Sequence, residues 1–364
     1  MIAPRAIQYW IVGPLHDPSM KVSALHDRPS APALLESLRT GAELQSVGHA
    51  RFSGSRTHRS NLWLEYRNFL RQALSHYQAA LGVDNRSAAL LSYYAMLNFA
   101  KAELLSVNPT AVRGAVGHGL HFSPTRARSV AGDALTVTDG VFRLLYEHRT
   151  GHALPLSTRL PIRRLLARIP EMESQIRDVG LGPTKVAGVL NVTAADSSSA
   201  WTLLAIDRDN TFSMGTASVR LLARIFQTVE APPTWRHVFG LSVRAADAVS
   251  FYESRIKFPH DGLGTSSLGH AMRAAQVDAW RARDLLEPST SAAFDAWLSP
   301  SLYGARILPM PPSLARYAVT YYASSLVRYR PSMFDAQVSP EHAYLFDALG
   351  AWVGNRRQGG SPAG

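Results

Sequence analysis

Four groups of side chains carry most of the chemistry that this 364-residue sequence offers. Tyr94, Asn98 and Lys101 stand at i, i+4 and i+7, one face of a helix. Lys101 is one of only four lysines and sits in an apolar run; a buried ammonium needs a carboxylate or carbonyl partner or it loses its proton. Two readings stay open: an anion or phosphate site fed by Lys101, or a lysine that snorkels to the helix end while Asn98 bonds a neighbouring helix. His118 and His121 form an H-x2-H pair within Gly117–Phe122. That spacing is poor for a metal without a third ligand, so no metal site is expected. Gly117 and Gly119 imply a tight turn that brings His118 either to a ligand or onto the carbonyl of Ser106 or Val107. Arg328 and Arg330 close a helical stretch, where the macrodipole alone favours Arg and pairing with Asp335 or Glu341 would also hold them. Finally, Arg149, Arg159, Arg163, Arg164 and Arg168 fall between His148 and Pro170 with no acid among them. Arg forks grip phosphate and stack on bases, which makes these five a nucleic-acid-binding candidate, against the alternatives of a solvated basic face or a coding bias.

A shared ligand site requires Lys101, His118 and Arg328 or Arg330 to come within about 15 Å of one another, the width of a small-molecule pocket. The elements that must bring them there are legible in part. Trp63, Tyr66, Leu70, Leu74, Tyr77 and Leu81 recur at three- and four-residue steps, which predicts an amphipathic helix over 61–81. After a break at Gly82, capped at Asn85 or Ser87, residues 87–107 are apolar nearly all round and predict a buried central helix ended by Asn108-Pro109. Short runs at 134–137, 186–192, 201–206 and 249–258 read as strands, after an extended start near 7–12 and a helix around 33–38. Further helices are expected at 159–169, 217–229, 271–286, 291–298, 312–329 and 340–353. The expected fold is α+β, predominantly α-helical, with helical N- and C-terminal segments around a β-containing middle. Its divisions fall at an irregular 1–60, a helical 61–130, a β-containing 131–262, a helical 263–355 and a tail over 356–364.

Composition narrows the class. Hydrophobic residues make up 46% of the chain and cysteine is absent, which supports a sizeable core and excludes disulfide frameworks, thiolate metal sites and cysteine nucleophiles. No apolar run is long enough to span a membrane, and the first residues lack a signal-peptide core, so a cytoplasmic protein with no membrane partner is expected. The net charge of +11 comes from Arg rather than Lys, and residues 104–170 hold nine Arg against three acids. Clustered positive charge draws RNA, DNA, a nucleotide or an acidic protein partner. The aromatic content of both helical segments suggests a homodimer. No P-loop, zinc-protease, serine-hydrolase or dinucleotide motif is present, and Val179–Lys185 lacks the spacing of a phosphate loop, so no cofactor is expected.

Three stretches in order are more specific than any of these signals: residues 61–105, with SYYAMLNFAKAELL at their end; GHGLHF at 117–122, followed by ALTVTDGVF at 134–142; and PPSLARYAVTYYASSLVRYRPSMF at 311–334. Together they resemble the YaaC-like family, over roughly residues 60–350, through its LLxYYxxxNxxKA helix, its HGL and Gly-Phe segments and its RYxP motif. The resemblance implies a fold and no established reaction. The same helix also looks like the central helix of HEPN domains, whose nucleases use Arg-x4–6-His, the Arg holding the scissile phosphate and the His moving protons. Five such pairs occur: Arg51/His58, Arg71/His76, Arg113/His118, Arg143/His148 and Arg255/His260. Chance alone gives roughly 3–4 at this composition. Arg113 and His118, beside the HGL turn, are the first catalytic candidates under that reading. Binding of a phosphate-bearing ligand or nucleic acid is the preferred expectation. The alternatives are a HEPN-like ribonuclease and a non-enzymatic partner protein of a prokaryotic stress or phage-defence system.

Overall fold

The apolar run after Gly82 folds into a long helix whose start is set by Asp84. Its carboxylate accepts hydrogen bonds from the backbone N–H groups of Arg86 and Ser87 at 2.9 and 3.2 Å. The cap is therefore Asp84 and not Asn85 or Ser87, because an N-cap oxygen serves the orphan donors two and three residues downstream. The computed structural model describes residues 9–11, 21–23, 31–112, 116–123, 130–178, 180–182, 184–207, 220, 222–230, 249–262, 265–279, 286–288, 296–298, 301–303 and 306–338. In chain order the elements are β1 (Tyr9–Ile11), β2 (Lys21–Ser23), α1 (Ala31–Glu43), α2 (Gln45–Ala50), α3 (Arg56–Ala80), α4 (Asn85–Val107), β3 (His118–Phe122), β4 (Ala134–Gly140), α5 (Val141–Thr150), β5 (Arg159–Pro161), α6 (Ile162–Leu166) and α7 (Glu173–Asp178). They continue with β6 (Ala187–Ala195), β7 (Ser199–Asp207), β8 (Phe226–Val229), β9 (Val249–Ser254), β10 (Phe258–Pro259), α8 (Ser266–Ala279), β11 (Leu286–Pro288), β12 (Ala296–Leu298), β13 (Ser301–Tyr303), β14 (Arg306–Pro309), α9 (Pro312–Tyr329) and α10 (Pro331–Gln337). The fold is α+β and mostly helical, as expected.

Two units form. One comprises residues 1–28 and 185–311; the other comprises 29–184 and 312–364. The first is built on an antiparallel sheet in the order β1-β2-β6-β7-β9-β8, with β12 and β11 continuing from β6 and β10 pairing with β7. Residues 200–206 of β7 are buried throughout, as a central strand covered on both faces must be. Leu204 and Ile206 join Phe226 and Leu298 in one cluster, while Trp201, Leu203 and Ala205 join Phe251 in another, as the period-two alternation of a strand demands. The β6–β7 turn is held by Asp196, whose carboxylate accepts from the N–H groups of Ser198 and Ser199 at 2.8 Å each.

The second unit is helical. Ser55 caps α3, its hydroxyl accepting from the N–H of His58, and Leu62, Trp63, Tyr66, Leu70 and Ala73 form the buried stripe. Gly48 of α2 lies against Trp63 so closely that a Cβ there would stand 2.0 Å from the indole. Helix α4 buries residues on every side, from Ala88 and Ala89 to Leu104 and Leu105. Helix α9 is buried nearly all round from Pro312 to Leu326, more deeply than an amphipathic helix would be. These two helices pack together, and each fully buried large apolar side chain, such as Leu105 or Phe142, contributes about 1.5–3 kcal/mol. Of the aromatic side chains behind the expected dimer, Trp63, Tyr66, Tyr93, Tyr317, Tyr321 and Tyr322 are buried within this one chain, while Tyr94 and Tyr329 are exposed.

The three-stranded sheet β3-β4-β5 pairs Leu120 with Val137 and Phe122 with Leu135, and a bulge shifts the register so that His118 faces Gly140. Several expected helices are strands in part. Arg159–Pro161 pairs with β4, leaving α6 only Ile162–Leu166. Phe226–Val229 pairs with β9, and Ala296–Leu298 pairs with β6 and β11. Helix α8 spans Ser266–Ala279, and Leu286 opens a strand instead of closing it. The expected strand at 249–258 stops at Ser254. Runs this short take their hydrogen bonds from distant partners, so local periodicity does not decide between helix and strand. The helix expected over 340–353 lies outside the described residues.

Candidate functional site

The bulge that positions His118 depends on two glycines. Gly119 has φ +82° and Gly140 φ +143°, conformations that side chains with a Cβ rarely adopt. A Cβ on Gly140 would stand 2.3 Å from the Gly117 carbonyl oxygen, and one on Gly119 would stand 2.8 Å from the Phe142 nitrogen. The Gly117 carbonyl in turn accepts the hydrogen bond of the Val141 N–H at 2.9 Å, which fastens the start of α5 to the start of β3. His118 is thereby held at an exposed strand end.

The imidazole of His118 lies 5.0 Å from the ring of Tyr321 and 6.5 Å from that of Tyr93, centroid to centroid. Tyr93 also meets Tyr321 at 5.3 Å, Tyr317 at 6.3 Å and Tyr94 at 5.4 Å, and Tyr94 meets His76 at 5.7 Å. Side chains from α3, α4, β3 and α9 thus form one aromatic cluster. Tyr93 and Tyr317 are each 2% exposed, and their hydroxyls are buried without a hydrogen-bond partner. Tyr94 is 41% exposed. Arg328, exposed at the end of α9, donates to the Ser324 carbonyl at 3.2 Å and lies over the Tyr329 ring at 5.3 Å. Among the described residues it has no carboxylate partner.

Burial lowers the pKa of His118 below its ordinary value; the Leu120 carbonyl opposes this, and the charges of Arg328 and His121 add to it. His118 is therefore a neutral imidazole at pH 7. Burial pushes Tyr93 and Tyr321 up, against a smaller pull from Arg328, so both keep their protons. The cluster presents an imidazole and aromatic faces, with the Arg328 guanidinium at the end of α9.

Of the residues expected to share a site, the fold joins Tyr94 and His118 through Tyr93, while Arg328 lies about 10 Å further along α9 than Tyr321 at 1.5 Å per residue. Asn98 is turned to another use, its amide donating to the Tyr94 carbonyl at 2.9 Å. Lys101 lies 5.6 Å over the Phe69 ring, about 10 Å further along α4 than Tyr94 at 1.5 Å per residue. Arg330 turns toward the buried Asp133, 3.8 Å away, whose carboxylate accepts from the Tyr322 hydroxyl at 2.6 Å. Tyr93 and Tyr317 are not among the sequence candidates, and His76 is there only as half of an Arg/His pair; the YY pairs at 93–94 and 321–322 are the signal that points to the cluster.

Arg113 lies outside the described residues. The arginines of the other four Arg/His pairs are engaged: Arg71 with Glu43 at 2.6 and 2.7 Å, Arg143 with Asp139 and Glu147, Arg255 with the Ala223 carbonyl, and Arg51 over Tyr66. In the arginine-rich stretch, Arg149 donates to both oxygens of Glu103, at 2.8 and 2.5 Å, and to Ser313. Arg168 is 3% exposed and donates to the Arg164 carbonyl. Arg159, Arg163 and Arg164 are exposed. His121 is bonded to Ser123 at 2.8 Å, and no group of three imidazoles or carboxylates able to hold a metal occurs among the described residues. No helix among them is long and apolar enough to cross a membrane.

Fold and site define a mostly helical α+β protein in which a glycine-held strand end delivers a histidine to a tyrosine cluster. The chain matches the YaaC-like Protein family over residues 53–346 and belongs to it. No curated protein and no solved structure matches the chain.

Proposed function

We propose that this YaaC-like protein binds a phosphate-bearing ligand at His118 and Arg328. The observation that carries this reading is the exposed Arg328, which has no carboxylate partner among the described residues and closes the helix whose Tyr321 ring lies 5.0 Å from the His118 imidazole. A guanidinium without a carboxylate presents a planar fork to phosphate oxygens, and a neutral imidazole beside it adds a hydrogen bond without repelling the cation. Calorimetric titration with inorganic phosphate and with ribose 5-phosphate tests it. Arg328→Gln is expected to weaken binding about tenfold or more, as loss of a charge-assisted hydrogen bond does. Equal affinity in wild type and variant refutes the site.

A second reading, binding to an RNA or DNA backbone, is favoured by the exposed Arg159, Arg163 and Arg164 on β5 and α6. Reversing those three charges should then flatten the dependence of log affinity on log salt by about 0.7–0.9 for each phosphate that is no longer neutralised. Gels of intact RNA run on the same samples report whether the His118 imidazole also supports cleavage, the ribonuclease alternative.

A further inference from the structure

Independently of the phosphate site just proposed, we infer that Arg51, Arg56, Arg59 and Arg67, at the end of α2 and along α3, bind the phosphodiester backbone of a nucleic-acid duplex without reading its sequence. Residues 44–64 hold three of these arginines and two histidines and no acid. The carboxylates nearest in sequence are engaged or turned away. Glu36 is taken by Arg39 at 3.0 Å and Glu43 by Arg71 at 2.6 Å. Glu65 projects about 160° round α3 from Arg67. None of the four arginines has a carboxylate partner among the described residues.

One stretch of helix gathers them. The Arg51 guanidinium lies 5.4 Å over the Tyr66 ring, and Phe52 packs edge-on against the same ring at 6.0 Å. Arg67 lies 5.0 Å over Trp63, three residues from Tyr66 and so its neighbour on the helix surface. Arg59 and Arg56 stand one and two turns before Trp63. A guanidinium over a ring is fixed in direction and keeps N–H donors for an acceptor. Arg56 and Arg59 belong to the first turn of α3, where no acid occurs and the macrodipole disfavours cations, so the helix itself does not account for them. The surroundings narrow the partner. No large apolar side chain is exposed from Gly48 to Trp63, as an apolar protein interface or lipid insertion would require. Phe52, Trp63 and Tyr66 are buried, so single-stranded bases find no ring to stack on. A regular row of phosphates suits this face, met by Arg forks with the exposed Ser53 and Thr57 between them.

The test uses the full chain with DNA and RNA duplexes of about 20 base pairs and mixed sequence, followed by fluorescence anisotropy from about 50 to 300 mM salt. Log affinity should fall linearly with log salt, and Arg56→Gln combined with Arg59→Gln should flatten the slope on DNA by about 1.8, or 0.9 for each phosphate no longer neutralised. Arg56→Gln alone should weaken binding about eightfold at 0.1 M salt. Its side chain is exposed and unpaired, so the variant should keep its thermal unfolding temperature, which separates lost binding from lost fold. Binding of either duplex that responds in this way upholds the inference, and the ratio of the two affinities tells DNA from RNA. Affinity that is unchanged in the double variant, or that tracks base sequence, overturns it. Poly-glutamate that binds as tightly as the duplexes and displaces them overturns it in favour of an acidic protein. Loss of duplex binding on reversing Arg159, Arg163 and Arg164, with the Arg56 variant normal, overturns it in favour of β5 and α6. Phosphate titration of the Arg328 variant is untouched by any of these results.

Discussion

Replacing Gly140 by Ala should unfold the support of His118, and Gly151→Ala provides the matched control. Both glycines have positive φ, +143° and +72°. Gly151 ends α5 in the left-handed region with nothing within 4 Å of a Cβ built on it. Alanine there meets only the conformational cost, about 1 kcal/mol. At Gly140 the same methyl would stand 2.3 Å from the Gly117 oxygen and 2.5 Å from the Gly119 nitrogen, both backbone atoms that cannot swing aside. The strain of a Gly-only conformation, about 1–3 kcal/mol, then adds to the displacement of β3 from β4, for a total above about 3 kcal/mol. In a unit of roughly 200 residues, 1 kcal/mol shifts Tm by about 2–4 °C. Thermal unfolding followed by circular dichroism should therefore fall by about 2–4 °C for Gly151→Ala and by at least about 6–12 °C for Gly140→Ala. Phosphate binding at His118 should disappear in the second variant only. Equal shifts would refute the claim that backbone crowding at Gly140 holds His118 in place.

Arg328→Gln should raise the pKa of His118 toward about 6.5 without reaching it, because burial is the larger cause of the depression and remains. An imidazole titration by NMR checks this, and an unchanged or lower value contradicts it. Since the folded pKa is depressed, His118 contributes fully to stability above its unfolded pKa and loses that contribution as pH falls through the folded one; Arg328→Gln should narrow this window. Burial pushes the Glu103 carboxyl up, but the hydrogen bonds and charge of Arg149, with His148, outweigh it and hold the pKa below the ordinary range. Glu103→Gln should cost about 1.5–3 kcal/mol by denaturant titration at pH 7, a difference that vanishes as pH falls through the folded pKa of Glu103. Tyr322→Phe removes the 2.6 Å hydrogen bond to Asp133, which is 1% exposed, and should cost about 1–3 kcal/mol in the same assay.

Long periodic segments are legible in the sequence, and short ones are not. The spacing of Trp63, Tyr66 and Leu70, and the unbroken apolar character of 87–107, mark α3 and α4 because a helix of more than twenty residues repeats its pattern several times. Arg159–Pro161 and Ala296–Leu298 are three residues each and become strands through partners elsewhere in the chain, β4 for the first and β6 and β11 for the second. At the candidate site, His118 and Arg328 stand out by type and Tyr94 by its place on a helix face. Lys101 stands out more strongly as a rare lysine on an apolar helix, yet its ammonium lies over Phe69. A step of seven residues puts two side chains on one face but about 10 Å apart along it, and a face is not a site.

The class of protein is written in local properties of the chain: its mostly helical α+β character, the absence of thiol chemistry, the two long helices 61–81 and 87–107, and the tight turn at Gly117–Gly119. Composition, periodicity and backbone freedom act between near neighbours, so a linear reading recovers them. Which cations keep a carboxylate is a matter of the folded chain alone. Arg149 and Arg330 look like Arg328 in the sequence, but Glu103 meets the first and Asp133 approaches the second, while Arg328 meets the Ser324 carbonyl and no carboxylate among the described residues. The acids in question lie 46 and 197 residues away along the chain, and charge pairing depends on distance in space, which the order of residues does not contain.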